Sequence, residues 1–152
     1  MPLTNGAAAT VYERVEIVRI EGNQVADQWA TYGPWIMSTM EHDLEPIDAV
    51  ETMQRLRGDA FICLAASIDG QLAGIAICAL AFLPTGKSLE VKALAGDNFD
   101  LWIDRMWQAM RSTALAQGCQ GVFLKGRMGW KKKLNRLGFK AKAITMEFKF
   151  NG

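Results

Sequence analysis

The sequence predicts one α/β domain of the α+β kind, with a mixed and mostly antiparallel sheet of about six strands flanked by helices. Stretches of period-two alternation and stretches of helical spacing follow one another along the chain, and Asp69-Gly70, a two-residue hairpin signal, joins two apolar runs. We expect residues 1–12 to be a flexible arm, because they lack the basic and apolar regions of a signal peptide. Residues 13–152 would form the domain, whose length suits one core.

The front of the chain predicts one strand and then a group of short helices. Residues 13–20 are rich in β-branched side chains and alternate, which is typical of a strand. Helical spacing follows, with Asn23 as the expected N-cap and Gly33-Pro34 as an expected interruption. We therefore predict three short helices, in residues 23–32, 35–41 and 46–56.

The middle of the chain predicts three antiparallel strands and a long helix. The strands occupy residues 61–68, 72–83 and 88–94, and their turns are Asp69-Gly70 and Pro84-Thr85-Gly86. Asp97 or Asn98 would cap a helix that runs to about Ala116 and ends at Gly118. Its predicted apolar face consists of Phe99, Trp102, Ile103, Met106, Met110 and Ala114.

Residues 121–140 predict a strand, a short basic helix and the start of another strand. Gly138 lies where a helix needs a left-handed residue, and Phe139 beyond it would fold back on the last turn. Residues 143–150 alternate apolar and polar side chains more regularly than any other segment, which predicts a final strand.

The charges of the chain are unevenly distributed. Residues 1–104 hold 6 Lys or Arg and 15 Asp or Glu, whereas residues 105–152 hold 11 Lys or Arg and 1 Asp or Glu. The basic last third suggests an acidic partner, such as nucleic acid, a phosphate-bearing cofactor or an acidic protein face. Alternatively, the acidic and basic parts face each other within the fold or between copies.

The sequence contains few cysteine and histidine residues that could bind a metal ion or form a cysteine–histidine catalytic pair. Cys63, Cys78 and Cys119 lie in apolar surroundings, which predicts reduced core thiols, and His42 is the single histidine, expected in a surface loop. We therefore expect no metal site. No apolar run reaches the roughly 18–20 residues that cross a bilayer, so we expect no membrane span.

The order of the predicted elements resembles the GNAT fold of acetyl-CoA-dependent N-acetyltransferases over nearly the whole chain. Residues 66–77, ASIDGQLAGIAI, are similar to the "dG-x-xvG" hairpin of that family, and residues 134–140, LNRLGFK, to its "Y-x-k-x-GF" segment. In the family, acyl-CoA binding depends on an R/Q-x-x-G-x-G/A loop whose backbone amides approach the pyrophosphate. The matching residues 93–100, ALAGDNFD, contain one glycine and neither arginine nor glutamine.

This difference bears on the cofactor. If CoA binds, the resemblance implies that Gly96, Asp97 and Asn98 hold its phosphates. The carboxylates of Asp97, Asp100 and Asp104 would repel a pyrophosphate in the same place. We therefore predict that the acyl-CoA apparatus is missing and that no cofactor is bound.

The resemblance also assigns catalytic positions. It implies that Glu90 is the general base, although an outward-facing glutamate beside Lys92 on a half-exposed strand is the interpretation that we favour from the residues. It places Leu134 where the family has the tyrosine that protonates the leaving thiolate, and leucine has no proton to donate.

A narrower resemblance concerns GNAT-like proteins encoded among the structural genes of tailed bacteriophages. Their "R-x-GW-x-x-x-L-x-x-LGF" segment is similar to Arg127–Trp130, Leu134 and Leu137–Phe139 of this chain. It implies a non-catalytic structural or protein-interaction module, made in the cytoplasm and associated with virion assembly or the virion interior. Its partners would be other proteins, virion components or copies of itself, contacted through Arg127, Trp130, Lys131, Lys132, Lys133 and Arg136.

Two alternatives stay open. One is an acetyl-CoA-dependent N-acetyltransferase with a non-standard cofactor loop. The other is a nucleic-acid-associated protein that uses the basic C-terminal third, because lysines that neutralise phosphates supply sequence-independent affinity.

Overall fold

The computed structural model describes residues 14–40, 47–124, 133–141, 146, 148 and 150. Its strands and helices are β1 (Val15–Ile20), α1 (Gly22–Asp27), α2 (Trp29–Met40), α3 (Ala49–Arg57), β2 (Ile62–Ile68), β3 (Gln71–Leu83), β4 (Gly86–Gly96), α4 (Phe99–Ala116) and β5 (Val122–Leu124). The five strands form one sheet in chain order; β1 to β4 pair antiparallel, and β5 pairs parallel to β4. These findings confirm the predicted mixed, mostly antiparallel sheet of a single α+β domain.

Helices cover both faces of the sheet, because alternate side chains of each buried strand point to opposite faces. One face packs on α4 through a buried stripe that contains five of the six predicted positions, Trp102, Ile103, Met106, Met110 and Ala114. The other face packs on α1, α2 and α3 through side chains such as Ile36 and Leu56. The result is three layers with an apolar core on each side of the sheet.

The β2–β3 hairpin turns where the sequence predicts. Asp69 and Gly70 have φ values of 52° and 82°, and positive φ at both central positions is typical of the type I′ turn. The Asp69 amide donates to the Arg14 carbonyl oxygen at 2.8 Å, and the Arg14 amide donates to Asp69 Oδ1 at 2.6 Å. The turn therefore also anchors the start of β1.

The predicted boundaries of the first two helices are wrong. Asn23 lies inside α1, which has Glu21 as its N-cap residue, and the chain breaks at Gln28 instead of Gly33-Pro34. A Cβ atom on Gly33 would overlap the Trp29 indole, so this glycine serves close packing within α2. Pro34 lies inside α2, where it lacks the N–H group that would donate to the carbonyl oxygen four residues earlier.

The helix stop at Gly138 is confirmed. Gly138 has a φ of 100°, and the Phe139 amide donates to the Leu134 carbonyl oxygen at 3.2 Å. The Phe139 ring packs edge-on against Trp107 of α4, with 4.7 Å between ring centroids. The C-terminal segment therefore packs against the sheet-covering helix.

Two predicted segments lie wholly or largely outside the described residues. The arm in residues 1–12 is one of them. The other is the strand in residues 143–150, of which only Met146, Phe148 and Phe150 are described, all with exposed side chains. Both stay predictions.

Gly96, at the end of β4, offers a test of the fold. Its φ is 148°, and a Cβ atom there would overlap the Ala73 carbonyl oxygen and Gly74 Cα. We expect Gly96→Ala to lower the free energy of unfolding by roughly 2–4 kcal/mol, through backbone strain and overpacking. Gly121→Ala is the matched control, because a Cβ atom there meets nothing within 4 Å. Urea denaturation measures both, and equal stabilities would contradict the packing described.

Candidate functional site

The sheet forks between β4 and β5. Among the described residues the two strands pair at three positions, Leu89 with Val122, Glu90 with Phe123 and Val91 with Leu124. β4 continues to Gly96, whereas β5 is described as far as Leu124. Within residues 14–124, the last third of β4 therefore has no partner strand on the side of β5.

A β-bulge lies at the apex of this fork. Cys78 of β3 pairs with Val91 and Ile77 pairs with Ala93, so Lys92 is the extra residue of β4. The bulge reverses the alternation of side chains: Val91 packs towards α4, and so does Leu94, three residues later. Among the described residues, the last pair with β5 therefore lies directly before the residue where β4 changes its register.

The free edge of β4 presents backbone hydrogen-bonding groups. The Asp97 amide donates to the Ala73 carbonyl oxygen at 2.8 Å, which turns the peptide groups of Asp97 towards β3. Because successive residues of an antiparallel strand direct their peptide groups to opposite edges, Leu94 and Gly96 direct theirs to the side of β5. An extended amide-bearing ligand would find donors and acceptors there.

Glu90 lies at the apex of the fork, on the face that α1–α3 cover. Its in-register neighbours are Ala79 on β3 and Phe123 on β5. The Glu90 carboxylate forms an ion pair with Lys92, with 3.5 Å between Oε2 and Nζ, and the exposed fractions of the two side chains are 13% and 25%. The pairing with Lys92 matches our expectation, but an outward-facing Glu90 is wrong, because only 13% of its side chain is exposed.

The β4–α4 turn is held by protein contacts. Beyond Gly96 it consists of Asp97 and Asn98 alone. The Trp102 Nε1–H donates to the Asp97 carbonyl oxygen at 2.7 Å, and the Asp97 amide is bonded to Ala73. Asn98 is the N-cap residue of α4 in a left-handed conformation, with a φ of 55°, and its side chain makes no capping hydrogen bond. The predicted N-cap position at Asn98 is thus confirmed, but its side chain does not satisfy the helix start, and the Asp97 amide already has an acceptor.

Lys133 lies beside the start of α4, although it is 33 positions away from Asp100 along the chain. Its Nζ is 3.9 Å from Asp100 Oδ1 and 4.8 Å from the centroid of the Phe99 ring, and its side chain is 49% exposed. Sequence reasoning placed Lys133 only in a partner-contact surface. No local signal connects it with α4, because the fold alone brings the two segments together.

The other predicted positions are distributed as follows. Leu134 is buried, with an exposed fraction of 4%, and Arg136 is exposed. His42 lies outside the described residues. So do the remaining partner-contact residues, which are Arg127, Trp130, Lys131 and Lys132. The partner surface and the nucleic-acid alternative therefore stay predictions.

The described part of the chain shows neither a metal cluster nor a membrane-spanning helix. In it, no three or more His, Cys, Asp and Glu side chains are grouped so that they could hold a metal ion. None of the helices described has the length and apolar composition that crossing a membrane requires. Cys63, Cys78 and Cys119 are buried free thiols.

Solved structures share this fold over about nine-tenths of the chain. A ribosomal-protein-alanine N-acetyltransferase from Brucella melitensis biovar Abortus 2308 superposes with a TM-score of 0.66 at 16% identity, covering 91% of this chain and 100% of that one. A predicted acetyltransferase from Clostridium acetobutylicum, solved with acetyl-CoA, gives 0.67 at 12% identity over 90% and 96% of the two chains. Glucosamine-6-phosphate N-acetyltransferase from Arabidopsis thaliana gives 0.62 at 17% identity over 91% and 100%. The fold is therefore the GNAT-like fold of N-acetyltransferases.

The comparisons of the sequence give no match, either with protein-family models or with the sequences of curated proteins. At identities of 12–17%, the similar structures show the fold and leave the activity to be argued from the site.

The prediction of a non-catalytic structural or interaction protein is contradicted by these comparisons. The three solved structures named above are acetyltransferases, one of them with acetyl-CoA. The prediction relied on a missing loop motif. Nothing in the comparisons supports an association with bacteriophages or virions.

Two buried thiols give a prediction for alkaline pH. Burial raises the pKa of Cys63 and of Cys78 from the ordinary value of 9.0 to about 12. The unfolded chain releases these protons above pH 9 while the folded chain keeps them, so the thiols stabilise the fold below about pH 9 and lose that contribution between about pH 9 and 12. We expect the free energy of unfolding, measured in urea, to fall across this range.

The double variant Cys63→Ala/Cys78→Ala separates the thiols from the tyrosines and lysines that titrate in the same range. It should lose stability less steeply with pH than the parent, whatever its stability at neutral pH. Parallel pH profiles would show that the thiols do not contribute.

Proposed function

We propose that the protein is an acetyl-CoA-dependent N-acetyltransferase that uses a non-standard cofactor loop. The observation that carries this proposal is the arrangement at the end of β4, where a bulge follows the last described pair with β5, the peptide groups of Leu94 and Gly96 face the side of β5, and the largely buried Glu90 carboxylate lies beside the bulge. The likeness to acetyltransferase structures supports it.

The free edge fits the pantetheine arm of the cofactor. An extended chain that carries amides adds to an open strand edge through main-chain hydrogen bonds. Leu94 and Gly96 direct their peptide groups to that edge and would hold the arm. This binding uses backbone atoms, so it requires no particular side chains along β4.

The phosphates of the cofactor need a cation, because the β4–α4 turn supplies none and its Asp97 amide is already bonded. Lys133 would hold them, since its ammonium group lies at the start of α4 and is half exposed. The Asp100 carboxylate competes with the phosphates for the Lys133 ammonium group. It should weaken cofactor binding without preventing it.

The bound cofactor would supply a thioester whose carbonyl carbon accepts an amine. Glu90 would accept the proton of the attacking amine, which is the role of a general base near neutral pH. Lys92 orients the Glu90 carboxylate through the ion pair. Buried Leu134 offers no proton to the departing sulfur. A thiolate is nevertheless a fair leaving group without an acid, because ordinary thiols have a pKa of about 8.5.

Cofactor binding can be measured by calorimetry and by thermal shift. Acetyl-CoA at about 100 times its Kd should stabilise the folded protein by about 2.7 kcal/mol and raise Tm by several degrees. We expect Lys133→Ala to weaken binding about tenfold or more, because a charge-assisted contact to phosphate is lost. Asp100→Asn should tighten binding, because the competing carboxylate is removed.

Lys140→Ala is the matched control, since Lys140 is an exposed lysine of the same described segment, residues 133–141. Opposite effects of the Lys133 and Asp100 substitutions, with no effect at Lys140, would support the assigned phosphate site. Failure of the unmodified protein to bind millimolar acetyl-CoA would refute the proposed function.

The role of Glu90 can be measured by the release of free CoA thiol in the presence of amines. Suitable first acceptors are a peptide with an N-terminal alanine and glucosamine 6-phosphate, chosen from the activities named for two of the similar structures. Glu90→Gln keeps the shape of the side chain but removes the base, and we expect kcat to fall by about 10²–10⁴-fold.

Glu16→Gln is the control for the loss of one carboxylate, because Glu16 lies on β1 in a surface ion pair with Arg14. Unchanged kcat in Glu90→Gln would remove Glu90 from the mechanism while leaving cofactor binding to be judged separately.

A further inference from the structure

The fork already contains an amine at the place where the proposed reaction needs one. Lys92 is the bulged residue of β4, and its Nζ is 3.5 Å from the Glu90 carboxylate. Its side chain is 25% exposed, so the amine is shielded but still accessible. The free edge of β4 begins directly after it.

We propose that Lys92 is a self-modification site, acetylated by the acetyl-CoA that the fork binds. This inference rests on the proposed function, because it requires the thioester to lie along the edge formed by Leu94 and Gly96. Lys92 would then accept the acetyl group itself whenever no external amine is bound.

The chemistry balances without a further reagent. The Lys92 ammonium group gives one proton to the Glu90 carboxylate, and the neutral amine attacks the thioester carbonyl carbon. An N–C bond forms, the C–S bond breaks, and CoA leaves as a thiolate. A second proton leaves the nitrogen as the amide forms. Of the two protons, one protonates the CoA thiolate and the other passes to solvent, so that Glu90 is again a carboxylate at the end.

The separation of 3.5 Å suits this transfer. A general base acts across about 2.6–3.2 Å, and such hydrogen bonds are commonly longer before substrate binds. The ion pair also holds the amine close to the base.

Acetylation would change the fork. The product is neutral, so Glu90 would lose its cationic partner while remaining largely buried. A buried charge without a partner is costly, which favours reorientation of Glu90 or uptake of a proton. We expect acetylated protein to turn over external amines more slowly than unmodified protein, so the modification would limit activity when acetyl-CoA is abundant and acceptors are scarce.

Peptide mapping by mass spectrometry tests the proposal. The full-length protein, purified and shown to be unacetylated at Lys92, is incubated with acetyl-CoA and no acceptor amine. We expect one acetyl group to accumulate on Lys92 faster than on Lys140, which is exposed and reports direct chemical acetylation. In Glu90→Gln the rate at Lys92 should fall by about 10²-fold or more.

Two further measurements keep the result independent of folding defects in that variant. In urea the unmodified protein should lose the preference for Lys92, because the unfolded chain brings no base to it. In Lys92→Arg, whose side chain keeps the positive charge, the extra mass should be absent while acetyl-CoA still binds by calorimetry.

The outcomes separate the inference from the proposed function. Acetyl-CoA binding and turnover of external amines, with Lys92 modified no faster than Lys140, would overturn the inference and leave the proposed function standing. Equal rates in folded and unfolded protein would overturn it as well. Absence of acetyl-CoA binding would overturn both.

Discussion

The β-bulge at Lys92 determines the geometry of the candidate site. A regular β4 would keep one register with β3 and could continue to pair with β5 along its length. Instead, the extra residue shifts the pairing with β3 from Val91–Cys78 to Ala93–Ile77, directly after Val91–Leu124, the last pair with β5 among the described residues. Bulges bend a strand and increase its twist, so this one insertion redirects the end of β4. The free edge, the exposed peptide groups of Leu94 and Gly96 and the shielded position of Glu90 all depend on it.

The far end of the edge is fixed by a second set of contacts. Gly74 has no side chain where the Trp102 indole lies, and Gly96 has none where β3 approaches. The Trp102 Nε1–H then donates to the Asp97 carbonyl oxygen, and the Asp97 amide donates to the Ala73 carbonyl oxygen. This arrangement joins β3, β4 and α4 into one rigid unit beneath the edge. Preorganised binding groups give more affinity than mobile ones, because less conformational entropy is lost when a ligand binds.

Local signals in the sequence predicted local structure well. Asp69-Gly70, the apolar stripe of α4 and Gly138 each act through backbone angles or helical spacing within a few residues, and the structure confirms them. Gly33, Gly96 and Lys92 could not be interpreted in this way. Gly33 accommodates the Trp29 ring, Gly96 accommodates a neighbouring strand, and Lys92 is a bulge only in relation to the register of β3. Such features depend on what packs against them, which becomes known only when the fold is known. The proximity of Lys133 to Asp100 belongs to the same class.

The wrong prediction of a non-catalytic role has the same origin. That prediction relied on side chains. The family motif consists of glycines and an arginine or glutamine, whereas the turn here has a single glycine and two aspartates. An open strand edge, however, binds through peptide groups that every residue except proline possesses in full. Substitution along Leu94–Gly96 can therefore erase a motif without removing the hydrogen-bonding groups. What the loss of the motif does remove is charge compensation at the phosphates, and a cation from a distant segment can restore that. Affinity for the phosphate end thus depends on the balance between Lys133 and Asp100, whereas the position of the reacting carbonyl depends on the register of β4 at Lys92.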